Sequence, residues 1–287
     1  MTTMPRIGVV FRPQLPPERL REFAERAEGA GLDDVWVWED CFAEGGLTTA
    51  AAALAWTGSL RLGLGLMPVP LRNPALAAME VATLARLFPG RFAPAVGHGV
   101  LAWMGQVGAR AASPLGLLRE WTSAVRALLH GGTVSVAGEY VRLDGVALEW
   151  PPEQVPPLLV GARGPRTLAL AGEVGDGLVL DAGIDPDGVR AAVRRAGFAR
   201  EPEVVVYVMV GATPQARAAV DAELAGSGRP APPAPGTPAE VAELVGRYAE
   251  AGATTVVLHG AGADPDAAAL IDLAAAARAA LRSGQPG

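Results

Sequence analysis

Eight times along this chain a short apolar run gives way to a longer stretch of helical periodicity, and that alternation limits the folds open to it. The apolar runs are Ile7–Phe11, Val35–Trp38, Leu60–Leu66, Arg91–Val96, Leu158–Val160, Gly177–Leu180, Val204–Val210 and Thr254–Leu258. Near-continuous Val and Leu, with no in-out alternation, is how a parallel strand covered on both faces reads. The spacing predicts helices over Pro17–Ala30, Thr48–Thr57, Pro74–Leu87, Leu115–Leu129, Pro165–Ala171, Pro186–Ala196, Thr213–Ala225, Thr237–Ala251 and Pro265–Leu281. In the first of these, Leu20, Phe23, Ala24 and Ala27 share one face and charged residues fill the rest. Eight β/α units without a break in composition predict a single (β/α)8 TIM barrel over residues 1–282, with 283–287 as a disordered tail. A hydrophobic content of 50% supplies the core that such a barrel needs.

Three stretches interrupt the alternation. Thr133–Trp150 reads as an excursion hairpin between strands 4 and 5, with turns at Gly138-Glu139 and Asp144-Gly145. Val100–Ser113 reads as irregular, and Pro230–Pro235 as a proline-rich link. Thr237, followed by Pro238 and Glu240, is an N-cap for the helix it opens.

On a closed parallel barrel, chemistry gathers in the loops after the strands. The most informative loop lies in VPPLLVGARGPRTLALAGEVGDGLVLD, Val155–Asp181, where Gly161, Ala162, Arg163 and Gly164 lead into a helix begun by Pro165. Proline suits the first helical position, and the free N–H groups there make a ready anion site. Glycines admit a phosphate close to the backbone, while Arg163 and Arg166 bring positive charge. The same residues also suit an ordinary strand-to-helix turn with two solvated arginines.

Other classes fit poorly. A net charge of −6 with interspersed signs argues against nucleic acid as a partner. No run of eighteen apolar residues is present, so no membrane-spanning helix is expected. The segment MTTMPRIGVVF reads as a first strand rather than a signal peptide, and a cytoplasmic setting is expected. Cys41 is the single cysteine, which rules out an intrachain disulfide. His98, His130 and His259 show no metal-ligand spacing, so no metal is expected. No GxGxxG follows the first strand, against a dinucleotide fold.

Several blocks together resemble the bacterial luciferase-like monooxygenase family, in its branch that uses the deazaflavin coenzyme F420. They are AEGAGLDDVWVWED (Ala27–Asp40), LRLGLGLMPVPLRNPALAA (Leu60–Ala78), TLARLFPGRFAPAVGHG (Thr83–Gly99) and VPPLLVGARGPRTLALAGEVGDGLVL (Val155–Leu180). REWTSAVRALLHGGTVSVAGEYVRL (Arg119–Leu143) matches the helix and hairpin of that family, and the likeness thins beyond Leu180.

The resemblance implies a flavin or deazaflavin at the C-terminal face of the barrel. It implies a phosphate grip by Gly161, Ala162, Arg163, Gly164, Pro165, Arg166 and Thr167, and a non-proline cis peptide at Gly65-Leu66, with Gly65, Leu66 and Met67 as cofactor-binding residues. His98 and Gly99 would lie beside the cofactor, as would Glu39 and Asp40. A homodimer is implied too, for which the alanine-rich helices after strands two and three offer a flat surface.

The chain departs from the sugar-phosphate dehydrogenases of that branch at two places. Asp40 stands where they carry a catalytic histidine, and Val100 where they carry a catalytic glutamate. Asp40 remains the candidate acid, if burial raises its pKa; Glu39 and Asp40 are equally compatible with capping helix Thr48–Thr57. Trp38, Trp56 and Trp103 are candidates to line an apolar substrate pocket, or simply core. The expected activity is hydride transfer between coenzyme F420 and a small organic substrate. The alternatives are an FMN-dependent monooxygenase, a silent flavin-binding homologue and, more distantly, a flavin-free barrel enzyme acting on phosphosugars.

Overall fold

A computed structural model describes residues 4–226, 234–262 and 266–283. Eight parallel strands close into a barrel: β1 (Arg6–Phe11), β2 (Asp34–Val37), β3 (Arg61–Pro68), β4 (Phe92–Gly97), β7 (Leu159–Gly161), β8 (Gly177–Leu180), β9 (Glu203–Met209) and β10 (Thr255–His259). Around it lie α1 (Leu20–Gly29), α2 (Gly46–Trp56), α3 (Pro74–Leu87), α4 (Leu101–Gln106), α5 (Pro114–Leu129), α6 (Pro165–Val174), α7 (Pro186–Ala196), α8 (Pro214–Gly226), α9 (Pro238–Glu250) and α10 (Ala267–Ser283). The predicted TIM barrel is therefore the observed fold. The excursion hairpin is β5 (Val134–Ala137) paired antiparallel with β6 (Arg142–Val146), off the barrel between the fourth and fifth barrel strands.

The differences from expectation are local. Val100–Ser113 is not wholly irregular, because α4 forms inside it. Asp144-Gly145 is no turn: both residues lie within β6, where the register shifts and Gly145 takes φ 63°. Ser283 is the last residue of α10, and the remainder of the expected tail lies outside the described residues. So do Pro265, where the last helix was expected to begin, and most of the link at 230–235. The cap at Thr237 is a full capping box with Glu240. Among the described residues no helix is long and apolar enough to cross a membrane.

The strands are covered on both sides, as their composition demanded. Val9, Phe11, Val35, Val37, Leu62 and Leu64 face the helices, whereas Val10, Trp36, Ala93, Ala95, Leu159, Val205, Tyr207 and Val257 fill the interior. Inward glycines make room for the largest of these. A Cβ on Gly63 would fall 2.1 Å from the Trp36 indole, and one on Gly65 2.1 Å from Tyr207 Oη.

Charged residues at strand starts close the N-terminal mouth. Glu203 accepts from Arg6 Nη2 at 2.9 Å and from Arg61 Nη1 and Nη2 at 2.7 and 2.8 Å. Asp34 accepts from Arg61 Nη1 and from Trp36 Nε1, both at 3.3 Å. Burial pushes the Asp34 carboxyl up, and the two guanidiniums pull it back.

Candidate active site

The opposite mouth is open. A cavity of about 490 Å³ sits over the C-terminal ends of the strands, within the usual size of a small-molecule site. Its floor is set by β3. Inward and outward residues alternate up to Leu64, which faces the helices; the Gly65-Leu66 peptide is then cis, and the β3–β4 register shifts between Leu64 and Met67. Gly65 and Leu66 consequently both face inward. Leu66 wedges between the ends of β4 and β7, where a Cβ on Gly97 or Gly161 would come within 2.7 or 2.3 Å of its Cδ2. Tyr207 backs the bulge, its hydroxyl donating to the Gly65 carbonyl at 3.4 Å.

The bulge also corrects one expectation. Met67 does not reach the cavity: having two inward residues before it, it turns outward and is fully buried between barrel and helices. Of the other expected residues, Glu39, Asp40, Gly65, Leu66, His98, Gly99, Gly161, Ala162, Arg163, Gly164 and Thr167 line the cavity. Pro165 borders a neighbouring cavity instead, and Arg166 is exposed on the first turn of α6, lining neither. Trp38 and Trp103 line the cavity, but Trp56 lies at the far end of α2 beneath Arg21.

The start of α6 stands apart from its peers. The helices α3, α5, α7 and α9 also begin with proline, and each is capped by a side chain: Asn73, Ser113, Asp185 and Thr237. At α6 the cap is Gly164, with no side-chain hydrogen bond and nothing within 4 Å of an added Cβ. Gly164 lies at the cavity edge, and the first turn of α6 that it opens is the positive end of the helix dipole. The Arg163 guanidinium pairs with Asp181 at the rim.

The acidic wall follows β2. Glu39 pairs with Arg72 at 2.7 Å, yet burial holds its pKa above the ordinary value. Neither it nor Asp40 caps α2, whose N-cap Gly45 carries no side-chain bond. Burial also raises Asp40, against the opposing pull of Arg12. Glu44, two residues before α2 and not singled out from the sequence, is pushed up to about 7 by burial, with both oxygens lacking a partner among the described residues.

Beneath the cavity lies an aromatic cluster that sequence reasoning also missed. Trp38 packs edge-on against Tyr207 at 5.5 Å and His259 at 5.1 Å, with the Arg12 guanidinium 5.8 Å from its ring centre. Arg12 Nη1 donates to the Gly260 carbonyl at 2.6 Å. His259 Nδ1 lies 2.9 Å from the same oxygen, and burial lowers its pKa to about 4. The imidazole is therefore neutral at pH 7, with Nδ1–H donating and Nε2 a buried acceptor without a partner among the described residues. The only signal in the sequence was position: Arg12, Trp38 and His259 stand at the C-terminal ends of their strands.

A closed parallel barrel with a concave, half-apolar cavity at this mouth, raised carboxyls on one wall and an uncapped helix start on another, is the layout of a small-molecule enzyme. The profile of the luciferase-like monooxygenase family matches residues 2–281, and the chain belongs to that family. It is 28% identical over 269 residues to a 5,10-methylenetetrahydromethanopterin reductase of Methanolobus tindarius, covering 91% of this chain and 76% of that protein. It is 32% identical over 210 residues to an F420-dependent glucose-6-phosphate dehydrogenase of Amycolatopsis mediterranei, covering 67% and 62% respectively. An F420-dependent secondary alcohol dehydrogenase, solved with an F420–acetone adduct, shares the fold with a TM-score of 0.82 at 24% identity, over 98% of this chain and 100% of that one.

Proposed function

We propose that this chain is a coenzyme F420-dependent oxidoreductase acting on a small organic substrate. The observation that carries the reading is the pairing, in one cavity, of the Gly65-Leu66 bulge with the uncapped start of α6. The first offers a firm surface for a flat ring, and the second an acceptor-hungry pole for its phosphate. The relatives named for F420 support the same cofactor. When bound, the coenzyme supplies hydride chemistry; the protein supplies orientation and a dry pocket. Gly161, Gly164 and the Thr167 N–H would hold the phosphate. Leu66 and Gly65, braced by Tyr207, would hold the ring. Trp38, Trp103 and Leu101 keep water from the substrate side. Asp40, raised by burial, is suited to hold and release the proton that hydride transfer to or from a carbonyl requires.

The test is a calorimetric titration with coenzyme F420 and, separately, with FMN, for the wild type and Gly164→Asp. Aspartate at that N-cap would cap α6 itself, stabilising the fold by about 1 kcal/mol. It would also set a carboxylate where the phosphate belongs, so F420 binding falls by about tenfold or more. Preference for FMN would instead identify a flavin monooxygenase. Binding of neither would remove the oxidoreductase reading.

A homodimer is part of the proposal. Leu76, Met79 and Leu87 form one exposed apolar face of α3, with Phe42 also exposed on the loop before α2. Sedimentation showing a monomer at micromolar concentration would remove it.

A further inference from the structure

The cavity over the C-terminal ends of the strands has unlike walls. One is the acidic wall after β2; another is the start of α4. There Gly99 takes φ 69°, which turns the chain off β4, and Met104 is buried beneath α4. With Met104 pinning the helix, Val100 and Leu101 are left 47% and 40% exposed, and both line the cavity beside Trp103. The residue before a surface helix is ordinarily a polar cap, yet Val100 gives α4 no side-chain hydrogen bond. Apolar side chains gathered at a cavity, and left uncovered by the protein's own core, mark where an apolar ligand sits.

The charges of the cavity point the same way. Glu39, Asp40 and Asp181 line it against a single guanidinium, that of Arg163, which Asp181 already answers. Glu39 is answered by Arg72. Arg12, whose charge reaches Asp40, lies against the Trp38 ring and donates to the Gly260 carbonyl. His98 Nδ1 lies 2.9 Å from the Gly99 carbonyl oxygen. Among the described residues, the pole left for an anion is the first turn of α6, which the cofactor phosphate takes in the reading above. An anionic substrate on the α4 side would face carboxylates, with no cation there to offset its desolvation.

We propose that the substrate is uncharged and largely apolar, an alcohol or carbonyl compound whose reacting oxygen meets Asp40 and whose hydrocarbon part lies against Val100, Leu101 and Trp103. The inference rests on the cofactor reading above and narrows it: phosphosugars and carboxylic acids are excluded. Val100 is then a specificity residue, a neutral side chain where a cation would have drawn an anionic substrate in.

Calorimetry on the protein loaded with oxidised coenzyme F420 reads binding alone, because the oxidised coenzyme has no hydride to give a ketone. The probes are methyl ethyl ketone, methyl hexyl ketone, the analogue of the latter with a carboxylate in place of its far methyl, and glucose 6-phosphate. Methyl hexyl ketone should bind about tenfold more tightly than methyl ethyl ketone, through methylenes laid on α4. The carboxylate analogue should bind on the order of tenfold more weakly than methyl hexyl ketone, and glucose 6-phosphate more weakly still. Val100→Arg should bind the carboxylate analogue on the order of fivefold more tightly than wild type, a gain that shrinks at high salt. Leu101→Ser should weaken methyl hexyl ketone and leave methyl ethyl ketone unchanged. Equal affinity for the two ketones would overturn the proposal, since the wall would then take no hydrocarbon. Tighter binding of the carboxylate analogue or of glucose 6-phosphate by the wild type would overturn it as well. An unchanged order of probes in Val100→Arg would overturn the assignment of the hydrocarbon to α4. A loaded protein that binds none of the probes overturns the substrate class and leaves the cofactor reading standing, whereas failure to load with F420 removes the cofactor reading itself.

Discussion

At the N-terminal mouth of the barrel, Arg6, Arg61, Asp34 and Glu203 answer one another, and of four carboxylate oxygens only Asp34 Oδ1 lacks a hydrogen bond. At the C-terminal mouth, Glu39 Oε2, both Glu44 oxygens and His259 Nε2 are buried without a partner among the described residues. Both ends close the same eight strands, so the difference is not one of packing. A buried polar group without a partner is costly and uncommon, and where several gather the usual explanation is a missing ligand or water. One mouth pairs its charges almost wholly within itself; the other leaves four buried polar atoms without a partner among the described residues.

The largest effect should come from breaking the closed end. Glu203→Ala leaves Arg61 nearly enclosed with only Asp34 to answer it, and should destabilise the fold by about 3–5 kcal/mol. Denaturant melts measure this, and F420 affinity of the folded fraction should not change. A parallel fall in affinity would show that the two mouths are not independent.

His259 sharpens the contrast through pH. Its folded pKa of about 4 lies below the ordinary 6.5, so the unfolded chain binds the proton more readily. Stability is therefore complete above pH 6.5 and declines as pH falls toward 4, by about 3 kcal/mol at most for this one group. His259→Asn, whose amide can still donate to the Gly260 carbonyl, should flatten that part of the stability–pH curve. An unchanged slope would mean that the imidazole is not held neutral.

Glu44 should give the smallest effect, with the opposite sign. Its raised pKa of about 7 means that ionisation opposes folding, so its cost is absent below pH 4.5 and full above pH 7. Glu44→Gln should stabilise the protein at pH 8 by about 1 kcal/mol, after allowing for solvent screening at a half-buried group, and not at all at pH 4. Thermal melts at the two pH values read the difference. Stabilisation at both would assign the effect to packing rather than charge.

What was legible in the sequence divides along similar lines. The strand runs, the capping box at Thr237 and the Pro-started helices were readable because each rests on neighbours within a few residues. The errors arose where a distant element decided. Met67 was placed at the site because it follows Leu66, but the bulge turned it outward. Asp144-Gly145 carries turn residues, yet pairing with β5 kept it in a strand. Trp56, open in the sequence to either a pocket or a core role, takes neither: it is partly exposed at the far end of α2.

By itself the sequence determined the barrel, because eight buried strands alternating with helices leave little else to form, and it determined the family, because the GARGP loop and the strand ends carry its signature. Only the tertiary structure decided which side chains meet. His259 and Trp38 lie 221 residues apart and touch because β10 and β2 flank β1 in the closed sheet. Arg61 and Glu203 are 142 apart and pair across the barrel floor. Periodicity is a local property of the chain, whereas the balance of charge and the placing of unpartnered groups depend on which strands the closure brings together.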